Sequence, residues 1–133
     1  TGTILSRLKT PLLLPYTRRG YPPPFTPDSL DQMADAQAFQ VSIPDLFNQP
    51  GTGVIEKFGK GLHSFLGLQG KTIFLSVRDS YSHNVGHPAM DDSVTVDTAT
   101  GRHQLTPDMH LRTAVACRPE ALASLSDEIA ANS

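Results

Sequence analysis

His83 and His87 stand four residues apart in a segment that also carries Asp79, Asp91 and Asp92. Imidazole and carboxylate are donors that zinc and non-haem iron accept. On a helix this spacing puts both imidazoles on one face. Gly86 and Pro88 oppose a helix here, so the spacing loses its geometric force. A solvated polar loop explains the same residues. If the pair does bind metal, the chain is a small metal-dependent enzyme or enzyme subunit. His83 and His87 would then be ligands, completed by Asp79, Asp91 or Asp92.

The other candidate motifs fail on spacing. Gly70-Lys71-Thr72 has the ending of a phosphate-binding loop, but Phe65 occupies the position of its first glycine. Ile73-Phe74-Leu75 then continues as a strand, where a phosphate loop needs a helix N-terminus. Gly51-Thr52-Gly53 is followed by Glu56 at the third glycine position of a dinucleotide fingerprint. The Gly-x-Ser-x-Gly elbow of serine hydrolases is absent from the sequence. Arg112 and Arg118 flank Cys117 and would favour its thiolate. A buried cysteine acting as a small apolar residue is the commoner outcome. The residues therefore predict no catalytic set and no cofactor, and the expectation is a protein that is not an enzyme.

The elements that would position these residues are read from periodicity and caps. Thr26-Pro27-Asp28 is a helix start, with Leu30, Met33, Ala34 and Ala38 on one face, and predicts a helix over 27–38. Phe39, Val41 and Ile43 alternate with polar residues as in a strand that stops at Pro44. Residues 54–66 keep helical spacing through Ile55, Phe58, Leu62 and Phe65, although Gly59 and Gly61 each weaken a helix by about 1 kcal/mol. Residues 71–78 form the clearest strand, with Ile73, Leu75 and Val77 on one face. A polar loop spans 79–92 and a second strand 93–98. Thr106-Pro107-Asp108 opens another helix with an apolar stripe of Leu111, Ala114 and Val115. Arg118-Pro119-Glu120 interrupts it before a last helical stretch through Leu122, Leu125 and Ile129.

The chain has 133 residues, 38% hydrophobic and 18% charged, with a net charge of −2. This fits one folded domain rather than a disordered chain. No apolar run approaches the ~20 residues that span a bilayer, so no membrane partner is expected. One cysteine excludes an internal disulfide framework. The charge is asymmetric. Residues 1–27 hold Arg7, Lys9, Arg18 and Arg19 with no acid, while residues 28–133 hold seven bases and thirteen acids. Six of the eleven prolines also fall in the first 27 residues. Proline removes amide donors and favours extended backbone. The expected organisation is a basic, proline-rich extended arm over 1–26 and a single α+β domain over 27–133. Leu12, Leu13, Leu14, Tyr16, Tyr21 and Phe25 are the arm's apolar groups for docking on a neighbouring subunit or on its own domain.

An extended N-terminal segment, a body with strands, a helical C-terminal pair and the closing run Glu128-Ile129-Ala130-Ala131-Asn132-Ser133 resemble the layout of small RNA bacteriophage coat proteins. That resemblance implies a short antiparallel sheet, with C-terminal helices packing across a dimer or larger assembly. It implies a self-assembling capsid subunit enclosing RNA, located in the virion (cytoplasmic if the resemblance fails). It further implies RNA contacts from one strand carrying Lys71, Phe74, Ser76 and Arg78. The odd separation of Lys71 and Arg78 puts them on opposite faces. The partners expected on this reading are further copies of the chain, and RNA.

Overall fold

The computed structural model describes residues 2–17, 36–48, 51–78, 90–98 and 100–126. Its centre is a four-stranded sheet in the order β3-β4-β5-β8, formed by Tyr16–Thr17, Ala38–Ser42, Thr72–Ser76 and Ala121–Leu122. All three pairings are parallel, with Phe39 opposite Ile73 and Val41 opposite Leu75. Among the described residues, antiparallel pairing forms two hairpins and an isolated bridge between Met90 and Ser93. Gly2–Ile4 (β1) pairs with Leu8–Thr10 (β2), and Val94–Thr98 (β6) pairs with Gly101–Leu105 (β7).

The parallel arrangement departs from the antiparallel sheet that the resemblance implies, for a physical reason. Parallel neighbours need a long crossover between them. Residues 43–66 supply one between β4 and β5 as three short helices: Ile43–Asn48 (α1), Thr52–Phe58 (α2) and Gly61–Leu66 (α3). The continuous helix expected over 54–66 is split. Gly59 closes α2 in the left-handed region at φ 69°. Gly61 follows at φ 80°, where an added Cβ would lie 3.4 Å from the Cys117 carbonyl oxygen. Only glycine takes both that backbone conformation and that close approach without strain.

One face of the sheet carries Phe39, Val41, Ile73 and Leu75. They form the core with Ile55 and Leu62 from the helices and Cys117 from Pro107–Cys117 (α4). β4 and β5 are buried at both ends with only the middle residue half-exposed, as expected for strands covered on both faces. Helix α4 begins as its sequence predicts. Thr106 caps it by accepting a hydrogen bond from the Met109 amide, and Pro107 occupies the first turn.

The inward face of α4 is not the predicted stripe. Leu111 and Val115 are 61% and 68% exposed, whereas His110, Thr113 and Cys117 are buried. The two polar residues can be buried because each is bonded. His110 Nε2 lies 3.0 Å from the Ala123 carbonyl oxygen, and Thr113 Oγ1 donates to the Met109 carbonyl at 2.8 Å.

After α4 the described chain forms β8 rather than a second helix. Residues 2–17 are not extended throughout. They form the β1–β2 hairpin and then β3, which joins the chain's own sheet. Of the helix predicted over 27–38, residues 27–35 lie outside the described residues, and Ala38 opens β4.

Candidate functional site

In sheets of parallel strands, ligands bind beyond the carboxyl ends of the strands. There, Tyr16 Oη donates to Asp45 Oδ2 at 2.5 Å, and Ser42 Oγ donates to the same oxygen at 2.9 Å. Asp45 stands in the first turn of α1, directly after β4. Thr17 Oγ1 donates to the Gln40 carbonyl, and Ser76 Oγ to the carbonyls of Val41 and Arg78. These side chains are held in place by one another and by the backbone. Together they make a fixed polar rim around an anionic group.

A second polar cluster lies at the opposite, amino end of β5 and β8. Glu120 Oε2 accepts the Ile73 amide at 2.7 Å and lies 2.9 Å from His63 Nε2; Oε1 pairs with Arg7 at 3.2 Å. The Glu120 amide donates back to the Ile73 carbonyl at 3.2 Å. The carboxylate therefore takes the place that a strand carbonyl would fill beside Ile73. Burial opposes ionisation of Glu120. The Ile73 amide, the His63 imidazole and the residue's own amide outweigh that burial and hold its pKa below the usual value. This cluster ties the β1–β2 hairpin, α3 and the sheet together. Arg118-Pro119-Glu120 reads in the sequence only as a helix break. An acid just ahead of a strand is the one local sign of this role.

The four residues expected to contact RNA do not share a surface. Lys71 precedes β5 and its Nζ donates to the Ala36 carbonyl at 2.8 Å. Arg78 follows β5, so the two cations stand at opposite ends of the sheet, about 23 Å apart along the strand. Ser76 is buried and Phe74 half-buried. Of the arm residues, Tyr16 is buried in this chain's own sheet, Leu12 and Leu14 are half-buried, and Leu13 is 80% exposed. Tyr21 and Phe25 lie outside the described residues, as do Asp79, His83 and His87. Asp91 and Asp92 are exposed. Among the described residues, no three His, Cys, Asp or Glu side chains come together in a way that could hold a metal ion. No helix among them is long and apolar enough to cross a membrane. Cys117 is fully buried, and burial pushes its thiol up to about 12, so the flanking arginines do not activate it.

A sequence model of the queuine tRNA-ribosyltransferase family matches residues 2–132. The chain belongs to that family. It is 31% identical over 126 residues to the queuine tRNA-ribosyltransferase accessory subunit 2 of Trichoplax adhaerens, covering 94% of this chain and 34% of that protein. To the protein of the same name from Danio rerio it is 31% identical, over 90% of this chain and 29% of that protein. To that of Ixodes scapularis it is 32% identical, over 95% and 32% respectively. The chain thus spans about a third of the length of these curated relatives.

Membership of the queuine tRNA-ribosyltransferase family overturns the coat-protein reading. The capsid function and the virion location fall with it. The resemblance rested on the order of elements, and arm, strands and terminal helix recur in unrelated folds. The sheet itself argues the same way. Its strands pair in parallel, with helices forming the β4–β5 crossover, whereas the coat-protein resemblance implies antiparallel neighbours.

Proposed function

We propose that this chain forms part of an accessory subunit that joins a queuine tRNA-ribosyltransferase enzyme subunit and supports its action on tRNA. The observation that carries this reading is the family match across residues 2–132, together with three relatives that share the accessory-subunit name. The partners on this reading are a second, different protein and tRNA, rather than further copies of the chain.

The carboxyl-end rim fits a supporting role. Its hydroxyls donate to the Asp45 carboxylate or to main-chain carbonyls. Hydroxyls committed as donors in this way give the rim a fixed shape and polarity.

The test uses the full-length protein and the family's enzyme subunit. The two are expected to elute together from a sizing column at equimolar ratio. Incorporation of labelled queuine into tRNA is expected to require, or to rise with, the added protein. Separate elution together with unchanged incorporation would overturn the proposal.

A further inference from the structure

We infer that the amino end of the sheet, where α2, α3 and α4 meet, is a phosphate-contacting surface for the tRNA backbone, with Lys57, Lys60 and Arg118 as its contacts. The inference rests on the tRNA reading above and adds to it a place on the molecule.

Three short paths of structure bring these residues together. Lys57 lies in the last turn of α2 and Lys60 immediately precedes α3, three residues apart around Gly59. Arg118 ends α4, and its guanidinium donates to the Gly59 carbonyl at 3.2 Å. The close approach of Gly61 to the Cys117 carbonyl and the Arg118 side chain fixes the junction, because any Cβ there would meet both. His63, one turn after Lys60, links the patch to Glu120 and through it to Arg7.

The charge around this junction is unbalanced. Lys57 and Lys60 are exposed and make no hydrogen bond or ion pair among the described residues. The nearby acids are already engaged. Glu56 pairs with Arg112 at 3.4 Å on the α4 side, and Glu120 is shared between Arg7 and His63. Other acids of the described chain sit elsewhere. Asp45 is at the carboxyl end, and Asp97 lies on the β6–β7 hairpin, where it pairs with Arg102. A cluster of cations with no acid partner among the described residues, on a chain of net charge −2, is placed by position, not by bulk composition. A polyphosphate backbone suits it, since bound cations release counterions and gain affinity without any base readout.

The experiment measures tRNA binding to the full-length protein, alone and with the enzyme subunit, over a series of salt concentrations. The variants are Lys57→Ala/Lys60→Ala and, as a control cation away from the patch, Arg102→Ala. Neither lysine bonds to another described residue, so the double variant should melt like the parent. Each lost phosphate contact should reduce the slope of log affinity against log salt by about 1. The double variant should therefore lose about 2 from that slope and roughly tenfold in affinity at low salt, while the control keeps both. An unchanged slope and affinity in the double variant would overturn the inference and leave the tRNA reading standing. Loss of enzyme-subunit binding with tRNA binding intact would also overturn it, making the patch a protein contact. Failure of the parent protein to bind tRNA in either setting would remove the tRNA reading, and the inference with it.

Discussion

Replacing Glu120 with alanine tests whether one carboxylate stands in for a missing strand neighbour. In the parent structure Glu120 Oε2 takes the Ile73 amide, and Ile73 is fully buried. Removing the acceptor leaves that amide without a partner, at a cost of about 1–3 kcal/mol. Loss of the His63 bond adds about 1 kcal/mol. The Arg7 pair adds little, since Arg7 is 53% exposed and solvent screens it to below about 0.5 kcal/mol. Glu120→Ala should therefore cost about 2–4 kcal/mol in urea unfolding of the full-length protein, and Arg7→Ala less than about 0.5. Glu120→Gln keeps an oxygen for the Ile73 amide and should fall between them.

The same residue gives a pH signature. Its pKa is lowered on folding from a usual value of 4.5. The folded state therefore binds this proton less readily than the unfolded chain. The stabilisation is fully present above pH 4.5 and is lost as the pH falls below that value through the lowered folded pKa. Glu120→Gln should flatten this part of the stability curve. The reasoning is refuted if Glu120→Ala costs less than about 0.5 kcal/mol, which would mean that water serves the Ile73 amide equally well. It is refuted equally if Arg7→Ala costs as much as Glu120→Ala, which would put the energy in the exposed ion pair.

Other outcomes follow from single contacts. Thr106→Ala removes the cap on the Met109 amide and should lower stability by about 1 kcal/mol in the same unfolding assay. Gly61→Ala combines a left-handed backbone with a 3.4 Å approach to the Cys117 carbonyl, whereas Gly67→Ala meets open space at a similar φ. The first should therefore cost more than the second, which should stay near 1–2 kcal/mol. Cys117 should resist a thiol reagent at pH 8 in the folded protein and react fully in urea, since burial raises its pKa to about 12. Rapid labelling of the native protein would show that α4 opens readily.

What could be read from the sequence was local. The Thr106 cap and the strand at Thr72–Ser76 depend on neighbours within a few residues, and periodicity and caps find them, whereas Gly59 and Gly61 count in the sequence only as weakening the helical stretch that they divide. The parallel sheet was within reach. A strand near residue 40, a helical stretch over 54–66 and a strand over 71–78 form the alternation that favours parallel neighbours. The two outer strands were not readable, because Tyr16–Thr17 and Ala121–Leu122 are two residues long and are defined only by partners far along the chain. The face of α4 was misjudged for a related reason. Periodicity counts Leu111 and Val115 as inward, but the bonds of His110 to Ala123 and of Thr113 to Met109 make the polar face the one that can be buried.

The candidate site was less legible still, since its chemistry lies in distance rather than in motif. Asp45 becomes a site residue because Tyr16, 29 positions away, reaches it. Lys57, Lys60 and Arg118 become a patch because Gly61 lets α4 close on the α2–α3 turn. Lys71 and Arg78, which look like a pair seven residues apart on one strand, are separated to the two ends of the sheet by the direction of that strand. In a parallel sheet the strand direction is common to every neighbour. It assigns each charged residue to the carboxyl end or the amino end, which a reading of the linear sequence cannot do until the topology is known.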